Sequence, residues 1–357
     1  MAKVVQADAL REFGKAVFDA LGVPEQDALM VADSLVATEL WGHASHGMLR
    51  LPWYVARLRH GAMHPTDRSA VETDNGAVVV IDGNHSMGQV LAMNAVELGM
   101  ARAGRYGISA VAVRNSNHFG TAAYFTRKAA EKGFITFLAT NASPAMAPWG
   151  GKEKLIGTNP WSIAAPAGKR GVVVMDIANT AVARGKIYLA AERGDPLPEG
   201  WAADEQGVPT TAASDALHGL ILPMAGHKGY VIAFMMDVLA GVLTGSQFGH
   251  GVNGPYQADK PSGCGHLLIT LDINAMMPGE LFMARLNQLI DQVKEAPTAH
   301  GVAEIFYPGE LEDRHTRHHL AAGITLAERT WESLSRLAEE MAVALPALIN
   351  DTSQEAL

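Results

Sequence analysis

The alternation of short apolar strands with helices, which begins near Val71, constrains the fold more than any other feature of the chain. The apolar periodicity predicts, in chain order, a strand, a helix, a strand, a helix and a strand at 78–81, 88–105, 108–113, 121–132 and 134–140. Elements that alternate in this way bury their apolar faces against one another in layers, so the pattern predicts an α/β architecture. Turn-rich sequence over 194–209 indicates hairpins rather than crossover helices in the second half.

Helical patterns dominate both ends of the chain. Amphipathic periodicity predicts helices at 7–21, 25–40, 48–59, 314–321 and 328–343. We therefore predict three segments: an N-terminal helical segment (1–70), a sheet-containing domain (71–295) and a C-terminal helical segment (296–357) that packs with the N-terminal one.

Composition excludes several classes of partner. The 357 residues are 48% hydrophobic and 18% charged, which is enough apolar sequence for a large core. The formal net charge of −9, with no basic block, argues against nucleic acid and against an anionic membrane surface. A single cysteine, Cys264, fits a reducing compartment, and the longest apolar helical run, 230–245, is too short to span a bilayer. We therefore expect a cytoplasmic protein.

His118 is the first candidate catalytic residue. It follows the apolar run 108–113 and lies in a turn with Asn117 and Gly120. α/β proteins place catalytic groups at the carboxyl ends of strands. Imidazole near its ordinary pKa gives or takes a proton at neutral pH, whereas Asn117 can only hydrogen-bond. The alternative is a histidine that merely caps its own turn.

A second candidate cluster lies in the segment 43–54. His46, Arg50 and Tyr54 stand at i, i+4 and i+8, so they share one face if the third helix has begun by His46. Arg50 offers a planar fork for a substrate carboxylate. The alternative is a solvated polar helix face. His43 and His46 are spaced like metal ligands, but no cysteine or carboxylate lies near them in the sequence, so we predict no metal.

The segment 249–254 matches the dinucleotide fingerprint Gly-x-Gly-x-x-Gly letter for letter. A phosphate cradle of this kind needs a strand before the first glycine and a helix after the last, so that backbone amides meet the pyrophosphate. Here a helical pattern precedes the motif and Pro255 follows it. We therefore expect any dinucleotide to bind without this fingerprint.

Two other segments have the composition of binding loops. The stretch 141–160 is rich in Gly, Pro and Asn after a strand, which indicates a shaped backbone, although a plain structural loop fits it equally well. The stretch 223–230 places Lys228 at the start of a long helix. Amide donors and a lysine at a helix start attract phosphate or another anion.

Five motifs, in order over nearly the whole chain, together resemble the malate/L-lactate dehydrogenase family that lacks a Rossmann domain. They are Ser45-His46-Gly47 with Arg50, Asn117-His118-Phe119-Gly120, Gly157-Thr158-Asn159-Pro160, Asp176-Ile177-Ala178 with Gly185-Lys186, and Gly226-His227-Lys228-Gly229-Tyr230. The family also includes ureidoglycolate and sulfolactate dehydrogenases, 2,3-diketogulonate reductase and a cyclic imine (Δ1-piperideine-2-carboxylate) reductase. The resemblance implies a mixed, largely antiparallel sheet flanked by helices, with a helical domain built from both chain ends.

The resemblance also implies the parts of the site. His118 or His46 would be the proton donor and acceptor, Arg50 the carboxylate anchor and Tyr54 their neighbour at the nicotinamide. The 71–295 domain would bind NAD or NADP, and the active unit would be a homodimer with the site at its interface. The implied cofactor-binding residues are Ala142, Thr158, Asn159, Asp176, Ile177, Ala178, His227, Lys228, Gly309 and Glu310.

The implied reaction is the interconversion of a small 2-hydroxy acid, such as malate, lactate or ureidoglycolate, and its 2-oxo acid. Two alternatives stay open: a cyclic imine reductase, and a ligand-binding relative without catalysis. The joint presence of His46, Arg50, His118 and Lys228 speaks against the second. Ser143 stands where ureidoglycolate dehydrogenases carry an aspartate, so an acceptor for ureido N–H groups is missing.

Overall fold

Strands and helices alternate through most of the computed structural model, which describes residues 3–349. The strands are β1 (Lys3–Val5), β2 (Ala70–Asn75), β3 (Val78–Asp82), β4 (Ile108–Ser116), β5 (Phe134–Thr140), β6 (Pro144–Met146), β7 (Ile156–Gly157), β8 (Trp161–Pro166), β9 (Val172–Ile177), β10 (Ala202–Ala203), β11 (Pro209–Thr210), β12 (Leu220–Ile221), β13 (Cys264–Asp272) and β14 (Ile324–Leu326). The α-helices are α1 (Ala7–Asp19), α2 (Glu25–Leu40), α3 (Leu51–Arg59), α4 (Gly88–Tyr106), α5 (Ala122–Glu131), α6 (Arg184–Arg193), α7 (Ala213–His218), α8 (His227–Asp237), α9 (Gly279–Glu295), α10 (Glu310–Ala322) and α11 (Glu328–Met341).

A seven-stranded sheet forms the centre, in the order β2-β3-β4-β13-β5-β8-β9. Only β3 and β4 run parallel, with α4 as their crossover, and the other neighbours are antiparallel. This mixed, largely antiparallel sheet confirms the predicted fold class. The late strand β13 is inserted between β4 and β5, so the carboxyl ends of β4 and β5 lie on either side of its first residues.

The helices α4 and α5 cover the sheet because each presents an apolar stripe to it. Leu91 and Val96 of α4 pack with Val111 of β4, and Phe125 of α5 packs with Leu138 of β5 in the same buried cluster. Small residues in α4 allow close approach, since a side chain at Gly88 would collide with the carbonyl oxygen of Asn117. The start of α4 is therefore in close contact with the turn that carries His118.

The two chain ends meet in a second core. β1 pairs antiparallel with β14, with Val4 opposite Thr325. Apolar side chains of α1, α2 and α3 pack there with Leu334 and Leu337 of α11. No helix within residues 3–349 has the length and the continuous apolar sequence needed to cross a bilayer.

The third predicted helix, over 48–59, differs from the structure at its start. Ala44–His46 and Met48–Arg50 form separate 3₁₀ turns, and α3 begins only at Leu51. Gly47 has an extended ψ of −139°, which interrupts the helix, and Pro52 fixes the first turn of α3. His46, Arg50 and Tyr54 therefore do not lie on one face of a single α-helix.

Candidate active site

The turn after β4 presents His118. β4 continues to Ser116, past the predicted end of this strand at 113, and α5 begins at Ala122. Asn117 is buried, and its side-chain N–H groups donate to the carbonyl oxygens of His85 at 3.0 Å and Ser86 at 2.8 Å. The backbone at His118 is thus tied to the loop before α4, and the residue as a whole is partly buried.

Tyr54 of α3 contacts the His118 ring directly. Its hydroxyl lies 2.7 Å from His118 Nδ1, and the Gly120 N–H points at the same nitrogen from 3.3 Å. A backbone N–H can only donate, so without substrate Nδ1 is an acceptor and the neutral ring carries its proton on Nε2. The phenol can reverse its bond and accept from Nδ1 when that nitrogen is protonated. Tyr54 therefore fits more than one protonation state of His118.

His46 and Arg50 also lie beside His118, although they are on two 3₁₀ turns and not on the same helix as Tyr54. The His46 and His118 rings stack with centroids 6.0 Å apart and planes 19° apart. The Arg50 guanidinium lies 4.0 Å from the Trp53 ring, and its Nε donates to Ser45 O at 2.6 Å. These contacts fix the guanidinium plane and leave its outer N–H groups available for a ligand.

A buried carboxyl group holds the turn between these residues. Glu39 of α2 is 4% exposed and accepts from the Met48 N–H at 2.8 Å. A side chain at Gly47 would collide with Glu39, so only glycine fits beside it. Burial raises the pKa of Glu39 to about 7. In the sequence, Glu39 looks like any other polar residue in a helical pattern, so no local signal marks it.

The site is electropositive. Burial, followed by the charges of His46, Arg50 and Arg57, lowers the pKa of His118 well below its ordinary value. Burial also lowers the pKa of His46 to about 4, with help from Arg50 and His43. Both rings are therefore neutral at neutral pH, and His118 is able to accept a proton.

His266 links the ends of β4, β5 and β13, and nothing in the local sequence marks it as a candidate. Its Nε2 lies 2.6 Å from Ser116 Oγ, and its Nδ1 lies 2.8 Å from Thr140 Oγ1. Burial lowers its pKa to about 3, so the ring is neutral. The resulting hydrogen-bond chain joins the end of β4, which leads to His118, to the end of β5, which leads to Ala142.

Ala142, Thr158 and Asn159 lie together after β5 and β7. Asn159 is buried with a φ of 40°, and its side chain accepts from Ala142 N at 2.9 Å and donates to Ala233 O at 2.9 Å. Thr158 O accepts from Asn179 N at 3.0 Å. The Asn159 amide therefore holds loops together, and its cofactor contact stays a prediction.

Asp176, Ile177 and Ala178 lie at the end of β9, beside the His118 turn. Asp176 Oδ2 accepts from the Ala123 N–H at 2.7 Å, so this carboxylate caps the first turn of α5. Burial raises its pKa to about 6. The cap fixes the position where the chain leaves the His118 turn.

Gly309 and Glu310 lie further along the same edge. Gly309 has a φ of 93° and packs against Val174, where a side chain would collide. The Glu310 carboxylate is 3.0 Å from Lys294 Nζ and 2.7 Å from Arg314 Nη2. Because these ion pairs occupy the carboxylate, a cofactor contact by Glu310 stays a prediction.

His227 and Lys228 open α8 and are both exposed. Ala225 and Gly226 precede them with left-handed φ values of 50° and 66°, and no side chain caps the first turn of the helix. The His227 ring lies 5.9 Å from that of Trp149. The Gly229 N–H already donates to Met224 O at 3.0 Å. The start of α8 therefore offers the N–H groups of His227 and Lys228, together with the lysine side chain, to an anion.

The segment 249–254 lacks the surroundings of a phosphate cradle. Its first residues form a 3₁₀ turn, Gly249–Gly251, which follows a π-helical turn at Val238–Val242 rather than a strand. No helix starts at Pro255, and the loop is instead held by the Asn253 N–H, which donates to Ser262 O at 2.9 Å. Within residues 3–349, no three His, Cys, Asp or Glu side chains are grouped to hold a metal ion.

Comparisons with known proteins identify the family. The family model described as malate/L-lactate dehydrogenase matches residues 5–335. The chain belongs to this family. It is 37% identical over 331 residues to an L-sulfolactate dehydrogenase of Methanothermobacter thermautotrophicus, covering 93% of this chain and 95% of the relative.

Solved structures agree with this assignment. A sulfolactate dehydrogenase from Methanocaldococcus jannaschii superposes with a TM-score of 0.90 at 35% identity, covering 96% of this chain and 98% of the other. A Δ1-piperideine-2-carboxylate reductase from Pseudomonas syringae pvar. tomato superposes with a TM-score of 0.83 at 29% identity, covering 94% and 100%. Family membership makes the protein an oxidoreductase that acts on CH–OH groups with a nicotinamide cofactor.

Proposed function

We propose that the protein interconverts a small anionic 2-hydroxy acid and its 2-oxo acid, with His118 as the proton acceptor and donor and Arg50 as the carboxylate anchor. The observation that carries the proposal is the convergence of Tyr54, His46 and Arg50 on His118, at 2.7 Å from the Tyr54 hydroxyl and 6.0 Å from the His46 ring. Of the two histidines, only His118 makes a direct hydrogen bond with Tyr54, so we assign the proton to it.

The start of α8 fits a dinucleotide phosphate. Its first amides have no side-chain cap, the preceding residues have left-handed φ angles, and Lys228 adds a positive charge. Helix starts with this combination bind anions well. When bound, NAD or NADP would supply the hydride acceptor or donor, which no side chain of this protein can replace.

In the oxidation direction, His118 removes the proton of the substrate hydroxyl. Substrate binding would shift the ring proton of neutral His118 from Nε2 to Nδ1, where the Tyr54 oxygen accepts it. The lone pair on Nε2 would then take the substrate proton. In the reduction direction the proton returns from Nε2 to the new hydroxyl oxygen. Arg50 orients the substrate by paired N–H contacts with its carboxylate.

The charge of the site favours an acid with a second anionic group. The positive charges of Arg50 and Arg57 act on His118 and lower its pKa. An excess of positive charge attracts dianions more strongly than monoanions. We therefore expect malate or 3-sulfolactate to be better substrates than lactate.

A substrate panel followed at the NADH and NADPH absorbance band tests the proposal. It contains malate, 3-sulfolactate, lactate, ureidoglycolate and, in the reductive direction, Δ1-piperideine-2-carboxylate, each with both cofactors. We expect the highest kcat/KM with a dianionic 2-hydroxy acid. A clear preference for the cyclic imine would instead favour the alternative function, which the likeness to the Pseudomonas reductase supports. No turnover of any of these compounds would overturn the proposal.

We also propose that the active unit is a homodimer with the site near the interface. α8 and the turn after it present apolar side chains to solvent, among them Phe234 at 46% and Leu243 at 64% exposure. A second copy of the chain would cover this surface, as obligate interfaces commonly do over about 2,000 Å² or more. Sedimentation that finds an active monomer at assay concentration would contradict this.

We propose a cytoplasmic location. Cys264 is buried and forms no disulfide, which fits a reducing compartment. Fractionation of source cells, with antibody detection of the protein in the soluble cytoplasmic fraction, checks this.

A further inference from the structure

Arg57 is a buried arginine without an acidic partner. Its side chain is 1% exposed, and no carboxylate among residues 3–349 makes an ion pair with it. Its Nε has no hydrogen-bond partner either. An unpaired buried charge is costly, and an apolar residue of similar size usually stabilises a core better. A stability role alone therefore does not explain an arginine at this position.

The contacts of Arg57 lead to the His118 turn. Its Nη2 donates to the side-chain oxygen of Asn117 at 2.9 Å and to Lys260 O at 2.9 Å, and its Nη1 donates to Gln257 O at 2.6 Å. Tyr54 precedes Arg57 by three residues on α3, so the two side chains leave the same face of the helix. Tyr54 holds His118, and Arg57 holds the residue before it.

The loop 254–261, to which Arg57 donates hydrogen bonds, also contacts the side chain that stacks on the carboxylate anchor Arg50. Tyr256 of this loop packs edge-on against Trp53, with ring centroids 6.1 Å apart. Trp53 in turn lies under the Arg50 guanidinium, 4.0 Å away. The loop 254–261 is therefore connected to both sides of the site. Arg57 connects it to the His118 turn, and Tyr256 and Trp53 connect it to Arg50.

We propose that Arg57 is a positioning residue of the active site, which holds Asn117 and His118 in place through its planar N–H fork and puts a fixed positive charge beside the His118 turn. The groups that face His118 are Tyr54 and Arg57 of α3, His46 and Arg50 of the 3₁₀ turns, and His266 of β13. His266 is neutral, so Arg50 and Arg57 are the permanent cations of the set. The proposal rests on the role of His118 proposed above.

Three variants separate geometry from charge. Arg57→Met removes the charge and the fork at similar length, Arg57→Lys keeps the charge and loses the fork, and Arg59→Met is the matched control. Arg59 lies on the same helix, but it is exposed and paired with Glu340 at 2.9 Å. The pKa of His118 is read in each variant by NMR titration of histidine ring protons, with His118→Gln to assign the signal.

In Arg57→Met we expect the pKa of His118 to rise by roughly half a unit to one unit. The acid limb of kcat/KM for hydroxy acid oxidation should rise with it, because His118 must be neutral to accept the proton. In Arg57→Lys the pKa of His118 should stay close to that of the parent protein, while kcat falls roughly 10- to 100-fold with a smaller change in KM. Arg59→Met should leave both properties unchanged. If Arg57→Met does not fold, Arg57→Gln takes its place, since it keeps an N–H for Asn117 without a charge.

An unchanged His118 pKa in the folded Arg57→Met or Arg57→Gln variant would overturn the electrostatic part of the proposal. A normal kcat in Arg57→Lys would overturn the positioning part. A pKa that shifts by NMR while the pH–rate profile stays fixed would leave Arg57 as proposed, and would show instead that His118 is not the catalytic base. The failure of the inference is therefore distinct from the failure of the proposed function.

Discussion

The two sides of the candidate site are constructed in opposite ways. Around His118, side chains from α3, the 3₁₀ turns and β13 converge from distant parts of the sequence, and their polar atoms contact one another. At the start of α8, the proposed binding groups are backbone amides and the exposed Lys228, which are arranged by neighbours in the sequence. Proton transfer needs side chains at fixed separations, whereas an anion needs only converging donors.

This contrast predicts different sensitivities. A substitution beside His118 disturbs an arrangement that depends on several long-range contacts, so it should act mainly on kcat. A substitution at the start of α8 removes one of several hydrogen-bond donors. It should therefore act on cofactor affinity, and its effect should be smaller than that of a substitution beside His118. The variants below test this difference from the largest expected effect to the smallest.

We expect the largest effect from His118→Ala. Loss of a positioned acid and base typically costs about 10²- to 10⁴-fold in rate. Cofactor affinity, followed by fluorescence titration, should stay close to that of the parent protein. His60→Ala is the control, since His60 is exposed at the end of α3 and bonds only to its own helix. Near-native turnover of His118→Ala would move the assignment to His46.

Arg50→Lys should have the next largest effect. Lysine keeps the charge but loses the planar fork and the stacking on Trp53. We expect kcat/KM for hydroxy acids to fall by about 1.5–3 kcal/mol in transition-state stabilisation, the scale of a charged hydrogen bond. Arg59→Lys on the neighbouring helix should have no effect. If kcat/KM is unchanged across several acids, the carboxylate anchor lies elsewhere.

Tyr54→Phe should reduce kcat by roughly tenfold. The change removes one hydrogen bond to His118 Nδ1 and leaves the aromatic ring in its buried position. A single hydrogen bond of this kind contributes about 1 kcal/mol, and somewhat more beside a group that becomes charged. Tyr256→Phe, at an exposed ring, is the control. An equal loss in both variants would show that the Tyr54 contact has no special role.

The sequence was sufficient to predict the fold class and the positions of those candidate residues whose signal is local. His118 follows an apolar strand, and the order of strands and helices through 71–140 gave the correct layer architecture. The 249–254 fingerprint could be rejected because its neighbours in the sequence are wrong for a cradle. For both His118 and the 249–254 motif, the residues on which the prediction depends are near neighbours in the sequence.

Residues that act through long-range contacts could not be found in this way. Arg57, His266 and Glu39 meet partners that are distant in the sequence or folded back by a turn, and each resembles an ordinary member of its helix or strand. The prediction that His46, Arg50 and Tyr54 share one helix face was wrong for a related reason. The break at Gly47 follows from its close contact with Glu39, which a helical periodicity does not include.

The smallest effects should come from two substitutions on the phosphate side. Lys228→Ala should weaken cofactor binding by about fivefold, the value of one charge-assisted contact at an exposed position. Gly251→Ala should leave cofactor affinity nearly unchanged, because the 249–254 loop has no helix behind it to align its amides. The nearest atoms to a side chain at Gly251 belong to the flexible Gln247, so the variant is able to fold. Cofactor titration by fluorescence measures both variants, and melting curves confirm that each is folded. The opposite ranking would mean that the fingerprint binds the pyrophosphate after all, and that the start of α8 is only an exposed helix end.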